Sequence, residues 1–216
     1  MRKNTKFLFV ALAGLMMSSC AGETETTETA VAEVEKTETC YYSYDAANSE
    51  MSFTAYKFLG KVGVGGTFTE INVEGGEKNE DAKALIEGLS FNIPISSIST
   101  KDVSRDGKIN EFFFGGINTE VISGEVKSLD DSGKAVLAIT MNSITKDVEG
   151  AYTLNDNAFS FDAEIDVLNW DGQAGIDALN EECKELHTDF ANGDTESKLW
   201  PDVTISFSTE LKKECE

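Results

Sequence analysis

The chain has 216 residues with one histidine, four cysteines, and 39 acidic against 18 basic residues, a formal net charge of −21. That sign excludes the phosphate-neutralising footprint of a nucleic-acid binder and argues against docking on anionic headgroups through charge. A single imidazole, His187, leaves a hydrolytic triad nothing else to use as its base, and no nucleophile beside it is identifiable.

The first segment, MRKNTKFLFVALAGLMMSSC, sets Arg2, Lys3 and Lys6 before an apolar run from Phe7 to Met17, then Ser18 and Ser19 before Cys20. A bilayer span takes about 20 apolar residues, so this shorter run reads as a cleaved export signal over residues 1–19. A small-residue pair directly before a cysteine resembles the bacterial lipobox, in which that cysteine is acylated. The alternative is an ordinary signal with a chance cysteine at its end. AGETETTETAVAEVEKTET follows, with six Glu, six Thr and no aromatic. Such a segment buries too little apolar surface to offset its ordering entropy, so residues 20–39 are expected to be a disordered tether. The sequence thus predicts an exported protein of the bacterial envelope, lipid-anchored to a membrane and facing the periplasm or the outside, with its domain at 40–216. Beyond Cys20, Cys40, Cys183 and Cys215 allow one bridge in an oxidising compartment and leave one thiol over. No four-cysteine metal framework can be assembled, and no metal ligand set or cofactor motif is predicted.

Within the domain the main signal is period two. LSFNIPI alternates Leu89, Phe91, Ile93 and Ile95 with other residues; AVLAITM alternates Leu137, Ile139 and Met141. In FSFDAEIDV, Phe159, Phe161, Ala163, Ile165 and Val167 alternate with polar residues, as Val203, Ile205 and Phe207 do in DVTISFSTEL. Each predicts an antiparallel strand with one wet and one apolar face. Turn signals at 73–81, 130–134 and 154–158 separate them, which points to an all-β sandwich or barrel. Pro94 places its strand near an edge, a bulge or its own end. The apolar phase slips between Phe68 and Val73, which predicts a β-bulge. QAGIDALNEECKELH breaks the β rule: Ile176, Leu179, Cys183 and Leu186 recur at helical spacing, predicting a helix of about four turns before the last strand.

GKVGVGG, Gly60 to Gly66, lacks the spacing and ending of a phosphate loop and reads as a glycine-rich strand that approaches a neighbour closely. Cys183 and His187 are four apart on the predicted helix, but without a second pair they read as a buried thiol beside a helix-end histidine rather than a metal site. The acidic pairs read as solvated turns and helix faces. No catalytic constellation is found. Whether the apolar interior is filled by side chains or encloses a ligand is left open by composition alone.

The order of motifs narrows the choice. Ser49, Met51 and Phe53, then Val64, Gly66 and Phe68, then Ser97, Ile98 and Thr100, then Arg105, Asp106, Phe112 and Phe113, and a closing amphipathic strand from Trp200 to Leu211, resemble the YceI-like family over residues 41–212. The resemblance implies an eight-stranded antiparallel lipocalin-like barrel, a binding fold without catalytic machinery, which holds an isoprenoid-type lipid, a polyisoprenoid or isoprenoid quinone, in an apolar tunnel. On that basis Met51, Phe53, Val64, Phe68, Phe91, Ile93, Phe112, Phe113, Ile139, Phe161 and Phe207 are expected to line the tunnel. Lys57, which stands where the family commonly has His, and Arg105 are expected at the rim. Phe112 and Phe113 would point inward from a segment crossing the mouth, with Phe114 packed outside and Arg105 ion-paired to Asp106. First and last strands pair in such a barrel, which would bring Cys40 to Cys215. The competing reading is a filled β-domain that acts through its surface.

Overall fold

A strand that alternates apolar and polar side chains has one face to bury, so the period-two segments must share a sheet with a common apolar side. The computed structural model describes residues 38–216. The export signal, Cys20 and the tether up to residue 37 lie outside the described residues. The elements are β1 (Cys40–Ser43), β2 (Ser49–Lys57), β3 (Val62–Phe68), β4 (Asn72–Glu74), α1 (Ala82–Glu87), β5 (Ser90–Pro94), β6 (Ile98–Ser99) and α2 (Val103–Lys108). A π-helical turn (Ile109–Phe114) precedes β7 (Val121–Leu129), β8 (Lys134–Met141), β9 (Ile144–Asn155), β10 (Ala158–Asp166), α3 (Gln173–Glu182), β11 (Leu199–Glu210) and β12 (Lys212–Cys215).

The antiparallel sheet runs β4-β5-β7-β8-β9-β10-β11-β2-β3-β6. Its terminal strands are not free edges. β4 continues β3, and β6 continues β5; Phe68 of β3 lies opposite Ile98 of β6, while Val73 of β4 lies opposite Phe91 of β5. Counted as one bent strand each, these close the sheet into a meander barrel of eight strands in which the last, β11, pairs with the first, β2. The expected all-β, eight-stranded antiparallel barrel, with a helix before its last strand, is the fold. The register shift that joins the two bent strands falls where the apolar phase slips, and Pro94 is the last residue of β5.

Because strand direction alternates around the ring, the connections sort to two ends. One end carries the β2–β3 turn, residues 100–120 and residues 167–198. The other carries α1, the β7–β8 and β9–β10 turns, and a ribbon of β1 with β12. In that ribbon Cys40 faces Cys215 and the two form a disulfide; Cys183 is free and buried. α1 went unpredicted, although Asp81 caps it by accepting from the Lys83 and Ala84 N–H groups and its buried Ala82, Leu85 and Ile86 have helical spacing. It closes its end of the barrel, and Glu87 accepts the Leu129 N–H at 2.8 Å.

The predicted four-turn helix is shorter. α3 stops at Glu182 and the chain tightens into a 3-10 turn over Lys184–His187. Glu181 and Glu182 crowd the final turn, where carboxylates oppose the helix dipole, and the turn itself carries no basic residue. α3 packs on the π-helical turn with backbones in close approach: a Cβ on Gly175 would come within 2.5 Å of the Phe113 carbonyl oxygen.

Candidate functional site

Paired residues in an antiparallel ladder share a face, so the register fixes which side chains point inward. Met51, Phe53, Ala55 and Lys57 of β2 face the same side as Phe68, Gly66, Val64 and Val62 of β3, and as Phe207, Ile205 and Val203 of β11. Those chains do not meet in the middle. They surround a cavity of about 430 Å³, within the range of about 300–1,000 Å³ usual for small-molecule sites. Inward-facing Met51, Phe53, Phe91, Ile122 and Phe207 remain only half-buried, as expected of side chains that border a hollow.

Glycines keep the lumen open. Phe53 stands opposite Gly66 and Phe91 opposite Gly124. A Cβ would come within 2.5 Å of the Phe53 ring at Gly66 and within 2.4 Å of the Phe91 ring at Gly124. Each ring lies over its glycine along the wall instead of projecting into the lumen. The glycine-rich strand read from GKVGVGG therefore has a packing role.

The structure brings Met51, Phe53, Val64, Phe68, Phe91, Ile93, Phe113, Ile139, Phe161 and Phe207 together on the lumen, with Lys57 and Arg105 at one end. Phe112 is a correction. It is half-buried and lies off the cavity, whereas Phe113 and the buried Phe114 line it. The cause is the helical turn: Arg105, Ile109 and Phe113 recur every four residues on the lumen face, Phe114 packs with Phe68, Ile93 and Ile98, and Phe112 falls on the far side. The Arg105 to Asp106 ion pair is also replaced. Both residues hold buried Thr100 instead: Arg105 Nε donates to its Oγ1 and a terminal nitrogen to its carbonyl, each at 2.8 Å, and Asp106 accepts its N–H at 2.8 Å. α2 is thereby fastened to the end of β6.

Sequence reasoning missed most of the mouth as a cluster. Lys57, Ser104, Arg105, Lys108, Cys183, Leu186 and His187 converge there from three separate segments. Lys57 donates to the Leu186 carbonyl at 2.9 Å, and Lys108 pairs with Glu182 at 3.0 Å. Among the described residues neither Lys57 nor Arg105 has a carboxylate partner, and the lining carboxylate Asp102 is engaged in capping α2. Burial, then the nearby Arg105 charge, lower the Lys57 pKa. Burial holds the Cys183 thiol above its ordinary range, so it stays protonated.

His187 is 8% exposed, and its Nδ1 lies 3.0 Å from Asn180 Oδ1. Burial, then the charges of Lys57 and Lys108, push its pKa down from 6.5 to about 4. The folded state thus resists a proton that the unfolded chain takes up below about 6.5. The neutral ring's contribution is intact above that pH and is lost as pH falls toward 4, about 3 kcal/mol at roughly 1.4 kcal/mol per unit. Denaturant titrations at pH 7 and pH 4 should show this loss in the wild type and about 3 kcal/mol less of it in His187→Gln. Equal losses in both would assign the acid sensitivity to the carboxylates.

A polyisoprenoid-binding domain from Saccharophagus degradans has a similar fold, with a TM-score of 0.56 and 12% identity over 82% of this chain and 99% of its own. BcnA of Burkholderia cenocepacia aligns with a TM-score of 0.52 and 14% identity over 79% of this chain and 99% of its own. No curated protein matches the sequence. The YceI-like domain matches residues 42–211, the whole of the barrel with its lumen and mouth, and the chain therefore belongs to the YceI-like family.

Proposed function

We propose that the barrel binds a long apolar lipid of isoprenoid type, with its chain in the lumen and its headgroup at the Lys57 and Arg105 mouth, for storage, shielding or transport. The observation that carries this reading is the distribution of polarity: a cavity of about 430 Å³ walled by aliphatic and aromatic side chains, with its charged groups confined to one end. The similar fold of the polyisoprenoid-binding domain from Saccharophagus degradans is consistent with it. Binding is favoured over bond-making because the mouth offers a protonated thiol and a neutral imidazole held by Asn180, not an activated nucleophile. The envelope location and membrane anchor belong to the same proposal, through acylation of Cys20.

One preparation tests both parts. Mass spectrometry of an organic extract of the purified protein should show an isoprenoid lipid near one per chain, and Cys20→Ser should move the protein from the membrane to the soluble fraction. An extract free of lipid, from protein that also takes up no prenol, would leave the surface-acting domain as the better reading. Unchanged partition would remove the anchor.

A further inference from the structure

The described residues include seven large apolar side chains that stand exposed, and five of them, Leu59, Val62, Val103, Leu186 and Phe190, lie on the segments that converge at the cavity mouth. Val62 is paired with Lys57 and is the next inward position above Val64, which puts it on the rim. Val103 lies between Asp102 and Ser104, both on the cavity. Leu186 is 62% exposed, lines the cavity and binds Lys57 through its carbonyl. The Leu59 N–H donates to Asp194, which ties the β2–β3 turn to the segment carrying Phe190. Single exposed apolar side chains are ordinary on a protein surface, but five at the end of the barrel that carries its opening call for a partner.

We infer that this rim docks on the surface of a lipid bilayer, setting the mouth against the membrane so that lipid passes between the two without crossing water. The inference rests on the lipid-binding reading of the cavity. Two features select a bilayer as the occupant. Leu186 belongs both to the exposed apolar group and to the cavity lining, so a docked rim sets the mouth of the apolar lumen against the bilayer. Just inside the rim, Lys57 and Arg105 have no carboxylate partner among the described residues, in a chain of net charge −21, and stand where headgroup phosphates would lie. Insertion of a few aliphatic and aromatic side chains to headgroup depth is how interfacial proteins hold a membrane without spanning it. The strongly acidic remainder keeps the other faces off it.

Trp200 lines the mouth and reports docking directly. Full-length protein is mixed with phosphatidylcholine vesicles whose acyl chains are brominated, and tryptophan quenching is measured for wild type, Leu186→Asp/Phe190→Asp and Ser128→Asp. Ser128 is exposed near the opposite end of β7, beside the β7–β8 turn and away from the rim. Any N-terminal anchor is common to all three proteins. Quenching in the wild type and in Ser128→Asp, reduced at least fivefold in the double variant, supports docking. Equal quenching in all three, or none in the wild type, overturns it. So does a wild-type dimer in sedimentation that the double variant abolishes without any quenching, since the rim would then be covered by a second copy. Geranylgeraniol uptake from cyclodextrin is measured in parallel: its absence would sink the lipid-cavity reading, while the quenching still decides docking.

Discussion

Cys40→Ser/Cys215→Ser is expected to lower the free energy of unfolding by roughly 4 to 5 kcal/mol, the largest loss from any change outside the core. The bridged cysteines are 175 residues apart, so the bond closes nearly the whole domain into one loop and removes from the unfolded chain the entropy of its open form, a term that grows with loop length. The native state also gains from it. The bridge joins β1 to β12 immediately outside β2 and β11, the pair whose hydrogen bonds close the barrel, so it guards the seam at which a meander barrel opens. A domain of this size has about 5 to 15 kcal/mol in total, so the reduced protein should be marginal at 37 °C. Chemical denaturation of the oxidised protein, the reduced protein and the double serine variant measures the loss. Coincident midpoints would show that the ribbon is energetically detached from the barrel.

The sequence and the fold agree wherever a signal is local. Period two identifies β5, β8, β10 and β11, and a slip in apolar phase marks the bend between β3 and β4 because a strand that shifts by one residue changes faces. Topology then supplies the cysteine pairing, since the ends of a meander meet. What stayed hidden depends on groups far apart in the chain. Nothing near Phe53 announces that it lies over Gly66; that follows from strand register, and register decides whether the lumen is open. The three phenylalanines at 112–114 misled for a related reason. An irregular crossing segment would leave the choice of inward residues free, whereas a helical turn fastened through Thr100 puts Phe113 and Phe114 inside and Phe112 outside. The mouth is the extreme case. Lys57, Lys108 and His187 are separated by a strand pair, two helices and half the barrel, and only the closed fold shows that their charges act on one another.

Charge placed in the lumen should separate binding from folding. Phe207 faces the cavity, half-buried, so a carboxylate in Phe207→Asp has room to be hydrated once lipid leaves. Ile139 also borders the cavity but is only 5% exposed, and its carbonyl accepts the indole N–H of the fully buried Trp170 at 3.0 Å. A carboxylate there has no solvent to reach and costs several kcal/mol, much of what the domain has. Phe207→Asp is therefore expected to lose bound lipid while its thermal midpoint falls modestly, whereas Ile139→Asp should fail to fold. Gly66→Val makes the same point without charge. The atoms a new Cβ would meet there belong to the Phe53 ring and to the Thr100 methyl, not to backbone, so the ring can swing into the lumen and fill it. That variant should lose lipid with stability close to wild type. If Phe207→Asp instead keeps its lipid and its midpoint collapses, these side chains are filling a core, because only a packed interior makes a buried charge costly to folding while leaving a ligand held elsewhere.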